Sequence, residues 1–254
     1  MPQPDASSLE LAERLGVHVA NVEVSAVSPL SPHLTAVTFR GDAVALAGEA
    51  GQDVMVRVTL PNGESARRRY SVRAVDAERD QLTLWINHAH DGPGANYLTQ
   101  LTIGDRLDLV GPRGKIFLDP LADWHLFVGD LSAFGAFYRL ADAIEPPGRV
   151  IFIVEVDDPH DAVTTTFDEG LGVTGIFVDR QGRSANDPEG LLRGLAAFAF
   201  PPDDGHAYLF GEFSVMKTMK AALLDRGLSD EAISSKAFWR AGRANASHGE
   251  PDKS

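Results

Sequence analysis

Apolar and polar residues alternate with a period of two through the first half of the chain, which is the pattern of half-buried β-strands. Gly, Pro, Asn and Asp separate these runs, and no long helical pattern interrupts them. The six runs are HVANVEVSAV, LTAVTFRG, DVMVRVTLP, RRYSVRAVD, QLTLWINHA and RLDLVGP. They predict an antiparallel β-barrel or sandwich that ends near Leu118.

The pattern changes from Trp124 onward, where nearly continuous apolar runs alternate with helical segments. The strand candidates are HLFVGD, RVIFIVEVDD, GIFVDR, HAYLFGE and KAFWRAG. Such strands predict a parallel sheet covered on both faces, with ligands at the carboxyl ends of its strands. The predicted architecture is therefore a β domain followed by a small α/β domain.

The segment SSLELAERLG precedes the first strand and predicts a short helix. Ser7 or Ser8 is the expected N-cap, and Gly16 is the expected end. We predict a leading helix in residues 1–16, a β domain in 17–118, an α/β domain in 119–242 and a disordered tail in 243–254.

Composition narrows the classes of function. The formal net charge of −13 argues against general binding to nucleic acid or to anionic membranes, since both need a cationic surface. No apolar run is long enough for stable membrane insertion, and the first residues lack the features of a secretory signal. The chain has no cysteine, which excludes disulfides, thiol chemistry and cysteine-ligated clusters. We expect a cytoplasmic protein and a monomer.

The segment RRRYSVR, residues 67 to 73, is unusually cationic for an acidic chain. Strand alternation places Arg68 on one face with Tyr70 and Val72. A solvated sheet edge is one interpretation, since charge there discourages edge pairing. A flat ring flanked by a cation and a hydroxyl would instead suit a flat, phosphate-bearing ligand such as a flavin nucleotide.

A second informative segment is NHAHDGPGANYL, residues 87 to 98. Its glycines allow close backbone approach, and amides at the start of the following helix can hold a phosphate. An ordinary strand-to-helix turn is the alternative. His88 and His90 could begin a metal site with Asp91, but nothing supplies a convincing third protein ligand. We therefore predict that His88 hydrogen-bonds to a ligand or to backbone, and that there is no metal site.

Two turns of the α/β domain follow predicted strands, GDLS at 129–132 and GEFS at 211–214. The dinucleotide motif GxGxxG is absent, so these turns give only a weak phosphate signal. Ser214 is the expected N-cap of the second helix. GxSxG is also absent, which argues against nucleophilic hydrolysis.

Taken in order, these segments resemble a known family. RRYSVR resembles the RxYS/T flavin motif of ferredoxin-reductase-like flavoproteins. The likeness to the siderophore-interacting proteins, a family of ferric-siderophore reductases, runs from about Val17 to Gly242. It is carried by HAHDGPGANYL, GDRLDLVGPRG, HLFVGDLSAFGAF, VIFIVEVDD, GEFSVMK and AFWRAG.

The resemblance implies a six-stranded FAD-binding barrel and an NAD(P)H-binding α/β domain. It would make Arg68 a ligand of the flavin phosphates and would place Tyr70 against the isoalloxazine. Ser71 would hydrogen-bond the reactive edge, so Tyr70 and Ser71 are the expected catalytic residues. The remaining FAD contacts implied in the barrel are Val72, Arg73, His88, Asp91, Gly92, Pro93, Gly94, Ala95 and Tyr97.

The resemblance also implies a site for the electron donor, NADPH or NADH. Its expected residues are Gly129, Asp130, Ser132 and Glu212, with Trp239 near the flavin. The family usually carries GDETALPA where this chain has GDLSAFGA, and this difference leaves the preferred donor open.

The implied substrate is a ferric siderophore or another ferric chelate, reduced by single electrons after hydride transfer to the flavin, with release of Fe(II) in the cytoplasm. An anionic chelate would need local cations. The candidates for this role are Lys217, Lys220, Lys236, Arg240 and Arg243.

Two other functions stay open from the sequence. One is a related flavin oxidoreductase that reduces a protein, a quinone or free flavin. The other is a flavin-loaded siderophore-binding protein with little turnover.

Overall fold

A computed structural model describes residues 3–59, 63, 65–163, 167 and 169–242. The chain divides into two compact units that separate after Phe117, with Tyr138–Leu140 grouped with the first. The predicted tail, 243–254, lies outside the described residues. Among the helices described, none has the length and apolar character needed to cross a membrane.

The first unit contains a closed six-stranded antiparallel barrel, which confirms this part of the predicted fold. Alternate side chains point inward, and Val56, Val72 and Leu84 are therefore buried in its interior. The strands are β1 His18–Ser31, β2 Leu34–Arg40, β3 Asp53–Thr59, β4 Ser65–Asp76, β5 Gln81–Asn87 and β6 Arg106–Arg113. They follow the order β1-β2-β5-β4-β3-β6, and β6 closes the barrel against β1.

Helix α1, Ala6–Leu15, precedes the barrel. The predicted N-cap at Ser7 or Ser8 is wrong, because the carboxylate of Asp5 accepts a hydrogen bond from the Ser8 amide and caps the helix. Gly16 ends the helix as expected, with a φ of 63°. The apolar side of α1 packs on Met55 and Val110 of the barrel.

The second unit contains a five-stranded parallel sheet with helices, as predicted. Its order is β11-β10-β7-β8-β9, so the direction of winding reverses between β7 and β10. The strands are β7 Trp124–Asp130, β8 Arg149–Val156, β9 Gly172–Asp179, β10 Gly205–Glu212 and β11 Ile233–Trp239. The helices are α3 Phe134–Ala141, α4 Glu189–Ala197 and α5 Phe213–Asp225, and α2, Pro93–Thr99, belongs to the barrel unit.

The two faces of this sheet differ in chemistry. On one face, aliphatic side chains such as Leu126 and Val128 pack against α4 and α5. On the other face, Phe127 stacks on Phe152 and Tyr208, and Phe137 of α3 lies against it. Close packing on both faces explains why the central strands are continuously apolar in sequence.

A partly buried polar network lies at the amino-terminal end of the aromatic face. His206 lies 3.2 Å from the Asp119 carboxylate through Nδ1 and 2.9 Å from Ser234 Oγ through Nε2. The Asp119 amide donates to the Tyr208 hydroxyl at 2.7 Å. His125 lies beside these groups with a buried Nδ1 for which the described residues provide no hydrogen bond. Burial first, and then the nearby His206, lowers the pKa of His125 to about 4.

The lowered pKa of His125 should make the stability of the protein depend on pH. The pKa of His125 is lower in the folded protein than in the unfolded chain, so the unfolded chain binds more protons between about pH 6.5 and about pH 4. Stability should therefore fall as the pH drops through this range, by about 3 kcal/mol from His125 alone. The free energy of unfolding of His125→Phe, measured by urea denaturation, should fall less over the same pH range. His18→Phe, at an exposed position, is the control, and an unchanged pH dependence in His125→Phe would contradict the assignment.

Candidate functional site

The cationic segment of the sequence lies in the middle of β4. Arg68 pairs with Val56 across the barrel wall, and Tyr70 pairs with Val54. Tyr70 packs against the barrel core, and the guanidinium of Arg68 donates to the Arg67 carbonyl oxygen at 2.9 Å. Arg68 and Tyr70 therefore share one surface, as the alternation predicts.

Helix α2 begins directly against this surface. Gly92 is its N-cap and Pro93 its first residue, and no side chain caps it. A Cβ atom added to Gly94 would lie 2.5 Å from the Tyr70 hydroxyl and 2.8 Å from Cγ of Arg68. Only glycine allows this approach, which places the first turn of α2 beside a cation and an aromatic ring.

Burial shifts the pKa of both Arg68 and Tyr70 on β4. It lowers the pKa of Arg68, although the nearby Tyr70 opposes this effect, and it raises the pKa of Tyr70. On the opposite face of β4, Arg69 instead forms an ion pair with the buried Asp53 at 2.7 Å. The neighbouring arginines are thus not equivalent, and Arg68 is the one beside the helix start. An arginine, an aromatic ring and helix amides next to a closely approaching glycine fit a phosphate-bearing flat cofactor.

The other predicted FAD contacts of the barrel are held in different ways. Arg73 follows an irregularity in the β4–β5 pairing and lies over the Trp85 ring, 4.9 Å from its centroid. His88 Nε2 lies 3.2 Å from the side-chain oxygen Oγ1 of Thr35, and its bond to a ligand or to backbone stays a prediction.

Four further predicted residues lie on β4 or around α2. Val72 is buried in the barrel, and Ser71 pairs with Asp53 of β3. Asp91 accepts a 3.4 Å hydrogen bond from the Asn96 side chain, and Tyr97 packs half-buried against the barrel core. Asp91 and Tyr97 therefore support α2 in this structure, and their contacts with FAD stay a prediction.

In the second unit, the turns singled out in the sequence lie at the carboxyl ends of β7 and β10. These adjacent strands flank the reversal of winding, the place where open α/β sheets bind ligands. Gly129 has no room for a side chain, because a Cβ atom would lie 2.0 Å from the Phe210 carbonyl oxygen. The predicted nicotinamide residues Asp130, Ser132 and Glu212 are thus brought to one edge of the sheet.

Asp130 is buried and accepts hydrogen bonds through both carboxylate oxygens. Oδ1 accepts from the amide and hydroxyl of Ser132. Oδ2 accepts from the Glu212 amide at 3.1 Å and from Nε1 of Trp239 at 2.9 Å. One carboxylate therefore links the ends of three strands.

Glu212 caps α5, so the predicted N-cap at Ser214 is wrong. Its Oε2 accepts from the amides of Ser214 and Val215, and its Oε1 accepts from the Ala241 amide. Burial opposes ionisation, but these bonds lower the pKa of Glu212. Because protein carboxylates already occupy amides at both turns, neither turn offers the open amide cradle of a phosphate loop.

The cationic candidates for chelate binding are dispersed. Arg240 lies over the ring of the exposed Phe213, 4.1 Å from its centroid, beside the ends of β10 and β11. Lys220 pairs with Asp230 at 2.6 Å, and Lys236 lies over Phe238 within β11. Lys217 is exposed on α5, and Arg243 lies outside the described residues.

Sequence reasoning missed the ion pairs at the end of β8. The buried Glu155 accepts from Nε of Arg180 at 2.9 Å and lies 3.6 Å from Arg183. Arg180 also pairs with Asp157, and Arg183 lies 3.8 Å from Asp187. The acidic ending of the run VIFIVEVDD was the signal available in the sequence. Across the described part of the chain, no group of three potential ligands could hold a metal ion.

Each of the two units matches a known protein family model. Residues 21–118 match the family model described as Oxidoreductase FAD-binding domain, and residues 122–242 match the one described as Siderophore-interacting protein. The two matches follow each other and together cover most of the chain. The second unit is thus similar to the siderophore-interacting protein family, and the first to the FAD-binding domain of oxidoreductases. The first match indicates FAD as the cofactor of the barrel unit.

Individual relatives of this chain are distant in sequence. An uncharacterized protein of Mycobacterium tuberculosis is 29% identical over 187 residues, 69% of this chain and 65% of its own length. The chain thus spans just under two thirds of that relative. The ferric vibriobactin reductase of Vibrio cholerae is 25% identical over 193 residues, 74% of this chain and 69% of the relative.

Solved structures show the same fold. A siderophore utilization protein from T. fusca superposes with a TM-score of 0.79 at 25% identity, over 91% of this chain and 96% of that one. The siderophore-interacting protein SipS from Aeromonas hydrophila gives 0.74 at 19% identity, over 89% and 93%.

The glycine at the start of α2 provides a direct test of the FAD site. Gly94→Ala should displace Arg68 and Tyr70 and weaken FAD binding by about tenfold, at a cost typical of forced rotamer shifts. Gly172→Ala in the second unit is the control, because its Cβ would make only an ordinary contact, 3.7 Å from Cγ of Arg149. Titration of the apoprotein with FAD, followed by flavin fluorescence, measures both. Equal affinities in the two variants would contradict this site.

Proposed function

We propose that this protein is an FAD-dependent NAD(P)H ferric-chelate reductase whose substrates are ferric siderophores, acting in the cytoplasm with release of Fe(II). The observation that carries the proposal is the union, in one chain, of the Arg68–Tyr70–Gly94 surface in an FAD-binding domain with a siderophore-interacting domain. Two relatives support it by name, the ferric vibriobactin reductase and an NADPH-dependent ferric-chelate reductase of Escherichia coli, the latter 23% identical over 189 residues.

The barrel residues bind and orient the cofactor. Arg68 is placed to neutralise a phosphate, and the partly desolvated position strengthens a charge-assisted hydrogen bond. Tyr70 presents a ring whose hydroxyl stays protonated, since burial raises its pKa. Bound FAD supplies the conversion of a hydride donor's electron pair into single electrons. Ser71 is the proposed hydrogen-bond partner at the reactive edge of the flavin.

Iron enters as part of the substrate. Siderophores hold ferric ion with hard oxygen ligands, and these ligands bind ferrous ion much less tightly, so reduction promotes release. Arg240 and Lys217 lie on segments that follow the ends of β11 and β10, and we propose that they attract an anionic chelate. Trp239 is proposed to lie near the flavin and Arg73, His88, Asp91 and Tyr97 to complete its binding site, with the protein acting as a monomer.

The end of β8 favours NADH over NADPH. In sheets of this winding, an acidic residue after the second strand accepts from the ribose hydroxyl, whereas arginine accommodates a 2′-phosphate. Here both nearby arginines already pair with carboxylates, Arg180 with Glu155 and Asp157, and Arg183 with Glu155. The carboxylates would repel a 2′-phosphate here, and both arginines that could neutralise it already form ion pairs.

The reaction itself is tested by anaerobic stopped-flow absorbance. The FAD-loaded protein should be bleached by NADH and then reoxidised by a ferric siderophore within a panel of ferric chelates. Rapid oxidation by a quinone, a protein or free flavin, without saturation by any ferric chelate, would support a different oxidoreductase. A flavin that neither nicotinamide bleaches, together with tight chelate binding, would leave a binding role.

Donor preference has its own test at Asp157. We expect kcat/KM to be higher for NADH than for NADPH. Asp157→Ala should lower the ratio of kcat/KM for NADH to kcat/KM for NADPH about tenfold, because it removes one carboxylate and releases Nη1 of Arg180. Asp76→Ala, which removes the same charge from a barrel hairpin, should leave the ratio unchanged. Higher kcat/KM for NADPH in the unmodified protein would refute the argument.

A further inference from the structure

The segment that follows β11 is held at both ends by buried carboxylates. Asp130 accepts from the indole N–H of Trp239 at 2.9 Å, and Glu212 accepts from the Ala241 amide at 3.1 Å. Arg240 lies between these two bonds and is stacked on Phe213. The two carboxylates therefore fix an indole, a guanidinium and the turn that carries them.

The backbone of β10 is shaped to allow the Asp130 contact. Gly211 has a φ of 154°, and a Cβ atom there would lie 2.6 Å from Oδ2 of Asp130. A side chain at this position would displace the oxygen that also receives the Trp239 indole. The glycine of the GEFS turn thus makes room for a carboxylate of the same protein.

The two oxygens of Asp130 have different roles. Oδ1 caps the local turn through Ser132, as many aspartates do at such positions. Oδ2 reaches across to Glu212 and Trp239, whose strands lie far away in sequence. Capping requires only the first oxygen, so the second one is available to set the orientation of the indole.

We propose that Asp130 is a positioning residue that sets the orientation of Trp239 and, with Glu212, the position of Arg240. This inference rests on the proposed function, in which Trp239 lies near the flavin and Arg240 attracts the chelate. A charge-assisted hydrogen bond in a buried site is strong enough to select one indole orientation. Asp130 acts through Trp239 and needs no contact with the nicotinamide.

The first readout needs neither FAD nor turnover. In a Trp85→Phe, Trp124→Phe background, Trp239 is the single tryptophan, and acrylamide quenching reports its exposure. Asp130→Ala should raise the quenching constant severalfold, and Gly211→Ala should do the same. Ser132→Ala removes a partner of Oδ1 alone and should leave the constant unchanged. An equal constant in folded Asp130→Ala would overturn the proposal.

A second readout keeps the proposal testable if Asp130→Ala does not fold. In the unaltered protein labelled with ¹⁵N-tryptophan, the indole proton of Trp239 should exchange slowly with solvent deuterium. Exchange as fast as that of a free indole would overturn the proposal.

The functional consequence is tested by a double-mutant cycle in the FAD-loaded protein. Asp130→Asn, which keeps one acceptor oxygen, should slow flavin reoxidation by a ferric chelate by about tenfold. In a Trp239→Phe background it should have little further effect, whereas additive losses would indicate a role independent of the indole. If no chelate reoxidises the flavin while the indole readouts hold, the proposed function fails and the positioning role stands.

Discussion

A buried carboxylate must be hydrogen-bonded, because its desolvation is otherwise too costly, and this constraint organises the carboxyl edge of the parallel sheet in the α/β unit. Asp130 meets it with donors from Ser132, Glu212 and Trp239, and Glu212 meets it with amides of α5 and of the segment after β11. The ends of β7, β10 and β11 are consequently tied together. These hydrogen bonds occupy amides that could otherwise bind a phosphate, so this edge differs from a glycine-rich phosphate loop.

In the barrel unit, the partly desolvated charged group is the cation Arg68. Arg68 is partly desolvated beside Tyr70, and the missing side chain of Gly94 lets the start of α2 approach both. Arg69, one residue further along the strand, is instead neutralised by Asp53. A strand can thus carry adjacent arginines with separate roles because alternate side chains face different surroundings. In each unit, a glycine provides the space that a charged group requires.

Helix capping shows where local pattern reasoning went wrong. Serines were predicted as N-caps of α1 and α5, and acidic residues, Asp5 and Glu212, occupy both positions. Serine and acidic residues cap through the same kind of acceptor, so composition near a helix start leaves a choice of several residues. At Glu212 the tertiary structure makes the choice, since its second oxygen accepts a hydrogen bond from the Ala241 amide in the segment after β11.

The sequence alone determined the six strands of the first unit, the parallel sheet of the second and the placement of Arg68 and Tyr70 on one strand face, because side-chain periodicity and turn residues are local properties. Resemblance to a known family, rather than periodicity, brought forward Asp130, Glu212 and Trp239 as expected site residues. Only the tertiary structure decided that Asp130 bonds to Trp239, and that Arg180 and Arg183 are committed to Glu155. Those partners are far apart in the chain, and strand order, which periodicity does not encode, brings them together.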